Sequence, residues 1–230
     1  MTRRTVIFDF DGTLADTMPD LVDALAASLP EHLHSGGRPA RELVLELLQL
    51  PPRQMIQRVT DLTGWSPAEI QAVQMRVGAD LPTRLFPEVP GVLVALKEAG
   101  YVLVMSSAGS ESTLRDKLKR AGIADQCDFT LGTDFEKGIN KDDLPRVAAE
   151  RLGMSPEEFA SIAVFVADLP TDMQLAQRAG LLAIGRLGSA NAEVLTAAGA
   201  QHVISDLTEL QPLLERLHPP VAAETVGSSK

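Results

Sequence analysis

Short apolar runs alternate along much of the chain with segments whose apolar residues recur every three to four positions. The runs are rich in β-branched and aromatic residues and predict buried strands at residues 6–10, 102–106, 129–131, 163–167, 182–184 and 202–204. The periodic segments predict helices at residues 92–99, 113–121, 144–152, 172–179 and 192–198. A glycine follows each of these helices, as is typical of a left-handed helix stop. This alternation indicates an α/β fold, a doubly wound (Rossmann-like) parallel sheet.

The stretch from residue 15 to residue 88 departs from this alternation. It contains no convincing strand and shows helical patterns at residues 20–29, 41–50, 53–62 and 67–81. An insertion directly after the first strand leaves the sheet at its carboxyl edge, where such sheets bind ligands. We therefore predict three parts. They are an α/β core domain (1–14 and 89–218), a small all-helical cap domain over the site (15–88) and a disordered tail (219–230).

Composition narrows the classes of partner. The formal net charge of −10 argues against a general affinity for nucleic acid or anionic membranes. No run approaches the roughly 20 apolar residues of a membrane span. The single cysteine, Cys127, excludes an intrachain disulfide, fits a reducing compartment, and has no histidine nearby that would make it a nucleophile. We expect a soluble cytoplasmic protein that is a monomer or a homodimer.

Two aspartates lie at the end of the first predicted strand, in Asp9-Phe10-Asp11-Gly12-Thr13-Leu14. Residues two apart on a strand point to the same side of the sheet, so the two carboxylates would repel unless a cation or a proton intervened. Hard oxygen ligands of this kind suit Mg²⁺. The alternative is two solvated aspartates that open a turn, because Asp and Gly are common turn formers.

A second acidic pair, Asp168 and Asp172, follows the predicted strand 163–167. Parallel strands bring their carboxyl ends to one edge, so Asp168 can meet Asp9 and Asp11 there. Such a convergence predicts a divalent metal. Asp172 is a further candidate ligand, although an acid in the first turn of a helix is also favoured by the helix dipole alone.

Three further features are candidates for holding a phosphoryl group. Ser106 and Ser107 end a strand before a small-residue loop, where hydroxyls and backbone amides suit phosphate oxygens; helix capping by Ser110 or Ser112 is the compatible alternative. Two lysines compete to supply a cation, with Lys141 preferred over Lys137 because it follows a predicted N-cap. In the cap, Arg53 is a candidate substrate contact, or else a solvated helix arginine.

These motifs together resemble the haloacid dehalogenase superfamily, and more narrowly its phosphoglycolate phosphatase and β-phosphoglucomutase branch. The segment from Asp9 to Thr17 matches the first motif of that family closely. Ser106 matches the second motif, Lys141 or Lys137 the third, and Asp168 with Asp172 the fourth. The motifs occur in the family order and span almost the whole chain, and this branch carries its helical cap after the first strand.

The resemblance implies a Mg²⁺-dependent phosphatase that acts on a small phosphorylated metabolite. Asp9 would attack phosphorus to form an aspartyl-phosphate, and Asp11 would act as the acid and then the base. Asp9, the backbone carbonyl of Asp11, and Asp168 would bind Mg²⁺. Ser106 and a lysine would hold the remaining phosphate oxygens. True dehalogenases of the superfamily lack the second aspartate, so Asp11 favours phosphoryl chemistry.

Three departures from the family pattern stand out, and those at Ser107 and Ala167 motivate a non-catalytic alternative. Ser107 stands where many relatives have asparagine, Ala167 replaces a glycine, and no Lys-Pro pair marks the third motif. A phosphomutase of the β-phosphoglucomutase type would share the same core. A non-catalytic binding or regulatory protein with this fold is the alternative from a different class.

Overall fold

A parallel β-sheet forms the centre of the protein. The structure is a computed structural model that describes residues 4–33 and 39–217. The strands are Thr5–Asp9 (β1), Val102–Ser110 (β2), Phe129–Thr133 (β3), Ala163–Ala167 (β4), Leu182–Arg186 (β5) and His202–Ile204 (β6). They lie in the order β3-β2-β1-β4-β5-β6, and each neighbouring pair is parallel. The doubly wound parallel sheet predicted from the sequence is thereby confirmed.

Helices separate the strands along the chain. Those between β1 and β2 are Met18–Ser28 (α1), Ala40–Leu48 (α2), Pro52–Thr63 (α3), Pro67–Asp80 (α4) and Val89–Glu98 (α5). The later helices are Glu111–Arg120 (α6), Leu144–Arg151 (α7), Pro156–Ala160 (α8), Pro170–Arg178 (α9), Ala192–Ala197 (α10) and Leu210–Leu217 (α11). Short 3₁₀ turns at Glu31–Leu33, Ala124–Gln126, Lys141–Asp143 and Leu207–Glu209 lie among them.

Helices cover both faces of the sheet, so the core forms two layers. The central strand β1 contributes to both: Val6 and Phe8 pack with α5, α6 and α11, whereas Ile7 packs with α7 to α10. All three side chains are fully buried. A strand buried on both faces needs the continuous apolar run that this segment has, whereas a half-exposed strand alternates apolar and polar residues.

The chain enters and leaves the helical insertion, α1 to α4, through two linkers that run side by side. Ala15 and Leu85 form an antiparallel bridge, and the amide of Asp16 donates to the carbonyl of Arg84 at 2.8 Å. The insertion has its own small apolar centres, one between α1 and α2 and one among α2, α3 and α4. Because the first linker follows β1 so closely, the insertion begins at the carboxyl edge of the sheet.

Helix α4 attaches the insertion to the core. The side-chain amide of Gln71 donates to the carbonyl of Thr133 at 3.0 Å and accepts from the amide of Phe135 at 3.0 Å. Farther along α4, the guanidinium of Arg120 donates to the carbonyl of Gly78 at 3.2 Å. These contacts place α4 against β3 and α6.

Two core helices were not predicted. Helix α8 is short, but Ser155 and Glu158 form a capping box at its start, and that Ser-x-x-Glu pattern is visible in the sequence. Helix α11 buries Leu210, Leu213 and Leu214, which also have helical spacing. Strand β2 extends four residues beyond the predicted 102–106. The tail predicted at 219–230 lies outside the described residues.

Candidate active site

Asp9 is the last residue of β1 and lies inside the protein at the carboxyl edge of the sheet. Its neighbour across the sheet is Ser106 of β2. The residue is only 4% exposed, and its Oδ1 accepts from the Nζ of Lys141 at 2.6 Å. Burial raises the pKa of Asp9 well above its usual value, and the carboxylates of Asp172 and Asp168 raise it further, against the opposing effect of Lys141.

Lys141 supplies the positive charge next to Asp9. It begins a 3₁₀ turn that Asn140 and Asp143 cap reciprocally. Its Nζ lies 2.8 Å from Asp172 Oδ1 in addition to its contact with Asp9. Although burial opposes the charged form, the carboxylates of Asp172 and Asp9 raise the pKa of Lys141. The ammonium is therefore held charged between two buried acids.

The two candidate lysines occupy different environments. The side chain of Lys137 is 75% exposed and forms an ion pair with Asp134 at 2.8 Å. Lys141 is 6% exposed and contacts Asp9 directly. Of the two lysines that the sequence left in competition, the structure brings Lys141 to the strand edge.

Asp168 directly follows β4 and is held by two hydroxyl groups. Thr13 Oγ1 donates to its Oδ1 at 2.9 Å, and Ser189 Oγ donates to its Oδ2. Burial raises the pKa of Asp168, while the Ser189 and Thr13 hydrogen bonds act in the opposite direction. Gly12 passes so close that a Cβ there would lie 2.2 Å from Asp168 Oδ2. The turn after β1 thus forms one wall of the pocket that holds this carboxylate.

The Asp11 carboxylate is hydrogen-bonded by two side chains that were not predicted as site residues. Thr17 Oγ1 donates to its Oδ1 at 2.7 Å, and Lys117 Nζ lies 2.8 Å from each carboxylate oxygen. Lys117 lies in the second half of α6 and is only 4% exposed. In the sequence, Lys117 lies between Leu114 and Leu118 at the helical spacing of the apolar face of α6, and that position was the available signal.

The hydroxyl groups after β2 are engaged within the protein. Ser106 Oγ donates to the carbonyl of Phe8 at 3.0 Å, and Ser107 Oγ accepts from the amide of Gly109 at 3.0 Å. Ser110 caps α6 by accepting from the amide of Thr113 at 3.2 Å, so the helix cap predicted at Ser110 or Ser112 is present at Ser110. Ser106 lies beside Asp9 in register while its hydroxyl contacts the backbone, and its role in binding phosphate stays a prediction.

Arg53 bridges the insertion and the core. Its guanidinium lies 3.2 Å from Asp143 Oδ2, two residues after Lys141, and its side chain is 63% exposed. A cavity of about 460 Å³ between the insertion and the core is lined by other residues, among them Arg41 and Gln49 on one side and Gly12 and Ser189 on the other. Arg53 therefore contacts the turn that begins at Lys141, through Asp143, and is not among the residues that line this cavity.

The donor set at the strand edge suits a small divalent cation. Asp9 and Asp168 are both buried carboxylates, and the negative charge of Asp168 contributes to the raised pKa of Asp9, so a cation between the two would relieve their repulsion. Mg²⁺ usually takes one or two carboxylates and completes its shell with other oxygens and water. Within residues 4–33 and 39–217, no group of three or more His, Cys, Asp or Glu side chains is arranged to hold a metal ion. A site here therefore needs a backbone carbonyl, such as that of Asp11, beside the two carboxylates.

Two other expectations concern features away from the site. Burial raises the pKa of the Cys127 thiol to about 11, which suits a structural cysteine. Among the helices of the described ranges, none has the length and apolar character needed to cross a membrane.

Comparison with known proteins places this geometry in context. The model of the haloacid dehalogenase-like hydrolase family matches residues 6–185. The chain is 31% identical over 193 residues to a phosphoglycolate phosphatase of Neisseria gonorrhoeae, covering 79% of each chain. It is 29% identical over 183 residues to a phosphoglycolate phosphatase of Synechococcus elongatus, covering 79% of this chain and 82% of that one. The crystal structure of a predicted phosphatase from Clostridium acetobutylicum has the same fold, with a TM-score of 0.73 at 20% identity over 93% of this chain and all of that one.

Proposed function

The chain belongs to the haloacid dehalogenase-like hydrolase family, and from that membership we propose a Mg²⁺-dependent phosphatase that hydrolyses a small phosphorylated metabolite through an aspartyl-phosphate. One observation carries the proposal. The buried carboxylate of Asp9 ends the central strand, with the ammonium of Lys141 2.6 Å from its Oδ1 and the carboxylate of Asp168 near enough to raise its pKa. A nucleophile, a phosphate-binding cation and a metal ligand thus share one strand edge.

The chemistry proceeds in two halves at Asp9. In the first, a carboxylate oxygen of Asp9 attacks phosphorus, the bond from phosphorus to the ester oxygen breaks, and Asp11 gives a proton to the departing oxygen. In the second, Asp11 takes a proton from water as that water attacks phosphorus. Inorganic phosphate then leaves, and Asp9 is free again. Lys141 binds phosphate oxygens during both halves, and Ser106 would join it when its hydroxyl turns from the carbonyl of Phe8 to the substrate.

The metal would be held by Asp9, the backbone carbonyl of Asp11, and Asp168. When bound, Mg²⁺ neutralises charge on the phosphoryl group during its transfer. Thr13 and Ser189 keep Asp168 oriented as a ligand, because each donates a hydrogen bond to a different oxygen of its carboxylate. Asp172 acts on the lysine instead, since both of its oxygens lie within 2.9 Å of Lys141 Nζ.

Residues 15–88 serve in this proposal as a cap domain that encloses the reaction. The support is their position, because the linkers at Ala15 and Leu85 lie side by side at the carboxyl edge and α4 is bonded to β3. The relatives named as phosphoglycolate phosphatases make phosphoglycolate the first substrate to test. The single, half-buried Cys127 suits a reducing cytoplasm, and the proposed enzyme works there as a monomer or a homodimer.

A substrate screen with Mg²⁺ tests the proposal. Phosphate release is measured from p-nitrophenyl phosphate, acetyl phosphate, phosphoglycolate, sugar phosphates and nucleoside monophosphates, for the wild type, Asp9→Asn and the control Asp116→Asn. The side chain of Asp116 is 71% exposed. Turnover by the wild type and the control, with none by Asp9→Asn, is expected. Equal inactivity of the wild type and Asp9→Asn across the panel would refute the proposal.

One substrate of the screen distinguishes hydrolysis from transfer of the phosphoryl group back to the sugar. Conversion of β-glucose 1-phosphate to glucose 6-phosphate without release of phosphate would identify a mutase. Mg²⁺ binding without turnover and without capture of beryllofluoride at Asp9 would identify a non-catalytic protein.

A further inference from the structure

Lys117 is a buried lysine whose charge is directed at Asp11. It extends from α6, and its Nζ lies 2.8 Å from both oxygens of the Asp11 carboxylate and 5.5 Å from the centre of the Phe10 ring. The side chain of Lys117 is 4% exposed and that of Asp11 is 15% exposed. Burial of an ammonium group is costly unless a carboxylate compensates it, so the position of Lys117 depends on Asp11.

The contacts on Asp11 come from two directions. Thr17, at the start of the insertion, donates to Oδ1 at 2.7 Å, while Lys117 of the core contacts both oxygens. A carboxylate bound this way cannot rotate without breaking at least one charge-assisted hydrogen bond. We propose that Lys117 is a positioning residue that fixes the orientation of the Asp11 carboxylate, and that helix α4 closes the pocket in which it does so. The inference rests on the phosphatase function proposed above.

Gly78 is the residue of α4 that closes this pocket, because it lies against Thr113 and Lys117 of α6. A Cβ at Gly78 would lie 2.7 Å from Thr113 Cγ2, 3.7 Å from Lys117 Cε and 4.0 Å from its Nζ. On the next turn of α6, Arg120 donates to the carbonyls of Gly78 and Ala79. Helix α4 therefore approaches α6 closely over the lysine because Gly78 has no side chain, and this approach keeps water away from the ion pair.

The orientation matters most in the second half of the reaction. There the Asp11 carboxylate accepts a proton from the water that attacks the aspartyl-phosphate, so it must be ionised and directed at that water. Hydrogen bonds from an ammonium group and a hydroxyl group fix the orientation of the carboxylate, which is the requirement that Lys117 serves in this proposal. A displacement of about 1 Å of a reacting group typically costs on the order of 10²-fold in rate.

A kinetic experiment on p-nitrophenyl phosphate isolates that half. Release of p-nitrophenolate needs no proton donor, so formation of the aspartyl-phosphate does not depend on Asp11. For Lys117→Met we expect kcat to fall about 10²-fold, KM to fall in parallel, and kcat/KM to stay near the wild-type value. A burst of p-nitrophenolate equal to the enzyme concentration should precede slow turnover. Lys117→Arg should recover part of kcat, and Lys119→Met, an exposed lysine two residues later, should match the wild type.

Two outcomes would overturn the positioning role. One is an unchanged kcat in Lys117→Met. The other is an equal fall in kcat and kcat/KM without a burst, since that pattern reports general damage to the site. Lys117→Gln, which keeps a donor of similar length, tests the same pattern should the Met variant not fold. Absence of wild-type turnover, by contrast, refutes the phosphatase proposal.

A stability cycle in metal-free protein tests the ion pair independently of activity. Asp11→Asn leaves Lys117 buried without a carboxylate and should lower the melting temperature. The double variant Asp11→Asn with Lys117→Met removes the stranded charge and should melt above Asp11→Asn. Equal melting temperatures for these two proteins would show that the pair makes no contribution, and would contradict the inference.

The role of Gly78 in closing the pocket is tested separately, with a matched rescue variant. Gly78→Ala should push α4 away from α6, because the new methyl group meets Thr113 Cγ2. The same burst and the same parallel fall of kcat and KM are expected. Thr113→Ser deletes that methyl group while keeping the hydroxyl, so adding it to Gly78→Ala should restore kcat. A Gly78→Ala enzyme with wild-type kinetics would exclude α4 from the pocket's function.

Discussion

Replacement of Gly12 by alanine should displace Asp168 from its position at the strand edge. Gly12 has a φ of +83°, and a Cβ there would lie 2.2 Å from Asp168 Oδ2 and 2.8 Å from Met18 Cγ. Ordinary van der Waals contact begins at 3.4 Å, so the Asp168 carboxylate must retreat by about 1 Å from its present place. That movement strains the hydrogen bonds from Thr13 and Ser189.

The magnitude has two parts. A left-handed backbone conformation costs a non-glycine residue about 1–2 kcal/mol in unfolding free energy. Weakening one hydrogen bond to the charged Asp168 adds about 1.5–3 kcal/mol. Gly64→Ala is the matched control, because Gly64 has a φ of +75° and no atom within 4 Å of a built Cβ. Gly12→Ala should therefore cost about 3 kcal/mol or more, against about 1–2 kcal/mol for the control.

Urea unfolding and steady-state kinetics measure the two consequences. We expect kcat/KM of Gly12→Ala to fall about 10²-fold with a substrate from the screen, because Asp168 no longer reaches its place, and Gly64→Ala to keep full activity. In an Asp168→Ala background, Gly12→Ala should cost less, because only the backbone part and the contact with Met18 remain. Equal destabilisation by the two glycine replacements, with activity retained in both, would refute the argument that Gly12 shapes the Asp168 pocket.

Three further predictions concern single side chains. Lys141→Met should abolish measurable turnover and lower stability by about 3 kcal/mol or more, because it leaves buried acids unpaired, while Lys137→Met should match the wild type in both assays. Ser189→Ala removes one of two donors to Asp168 and should weaken Mg²⁺ binding about 10–100-fold in calorimetry. Bonds from Arg151 and Thr130, acting against burial, lower the pKa of Glu111 from 4.5. Its contribution to stability is thus complete above about pH 4.5 and is lost as the pH falls through the lowered value, so Glu111→Gln should flatten acid unfolding curves there.

Most of the sheet could be predicted because the apolar runs of its strands are visible in the local sequence. β1 and β4 are buried on both faces and therefore show as continuous apolar runs. β2 was predicted too short because its end reads Ser106-Ser107-Ala108-Gly109-Ser110, which resembles a loop. In the structure this end pairs with β3 through Ser110 and Thr133, across a register shift. That pairing depends on the neighbouring strand, which local composition does not encode.

The site residues likewise fall into two groups, those that parallel strand topology brings together and those that only the packing of helices and loops brings together. Asp9 and Asp168 end neighbouring strands, so parallel topology alone brings them to one edge. Lys117 lies 106 positions after Asp11 in the sequence, and their contact depends on how α6 packs in the fold. Ser189 likewise reaches Asp168 from a loop after β5. Contacts set by the packing of helices and loops have no fixed spacing in the sequence, which is why pattern reasoning missed both.

The three departures from the family pattern no longer favour a non-catalytic protein. Ala167 is fully buried in β4 and packs in the apolar layer, so its methyl group fills core space. Ser107 directs its hydroxyl to the amide of Gly109 and shapes the loop. Lys141 reaches Asp9 without a following proline, because a capped 3₁₀ turn fixes its backbone instead. A protein that had lost catalysis would have no need to keep an ammonium buried between Asp9 and Asp172, since apolar residues of similar volume usually stabilise such a position as well or better.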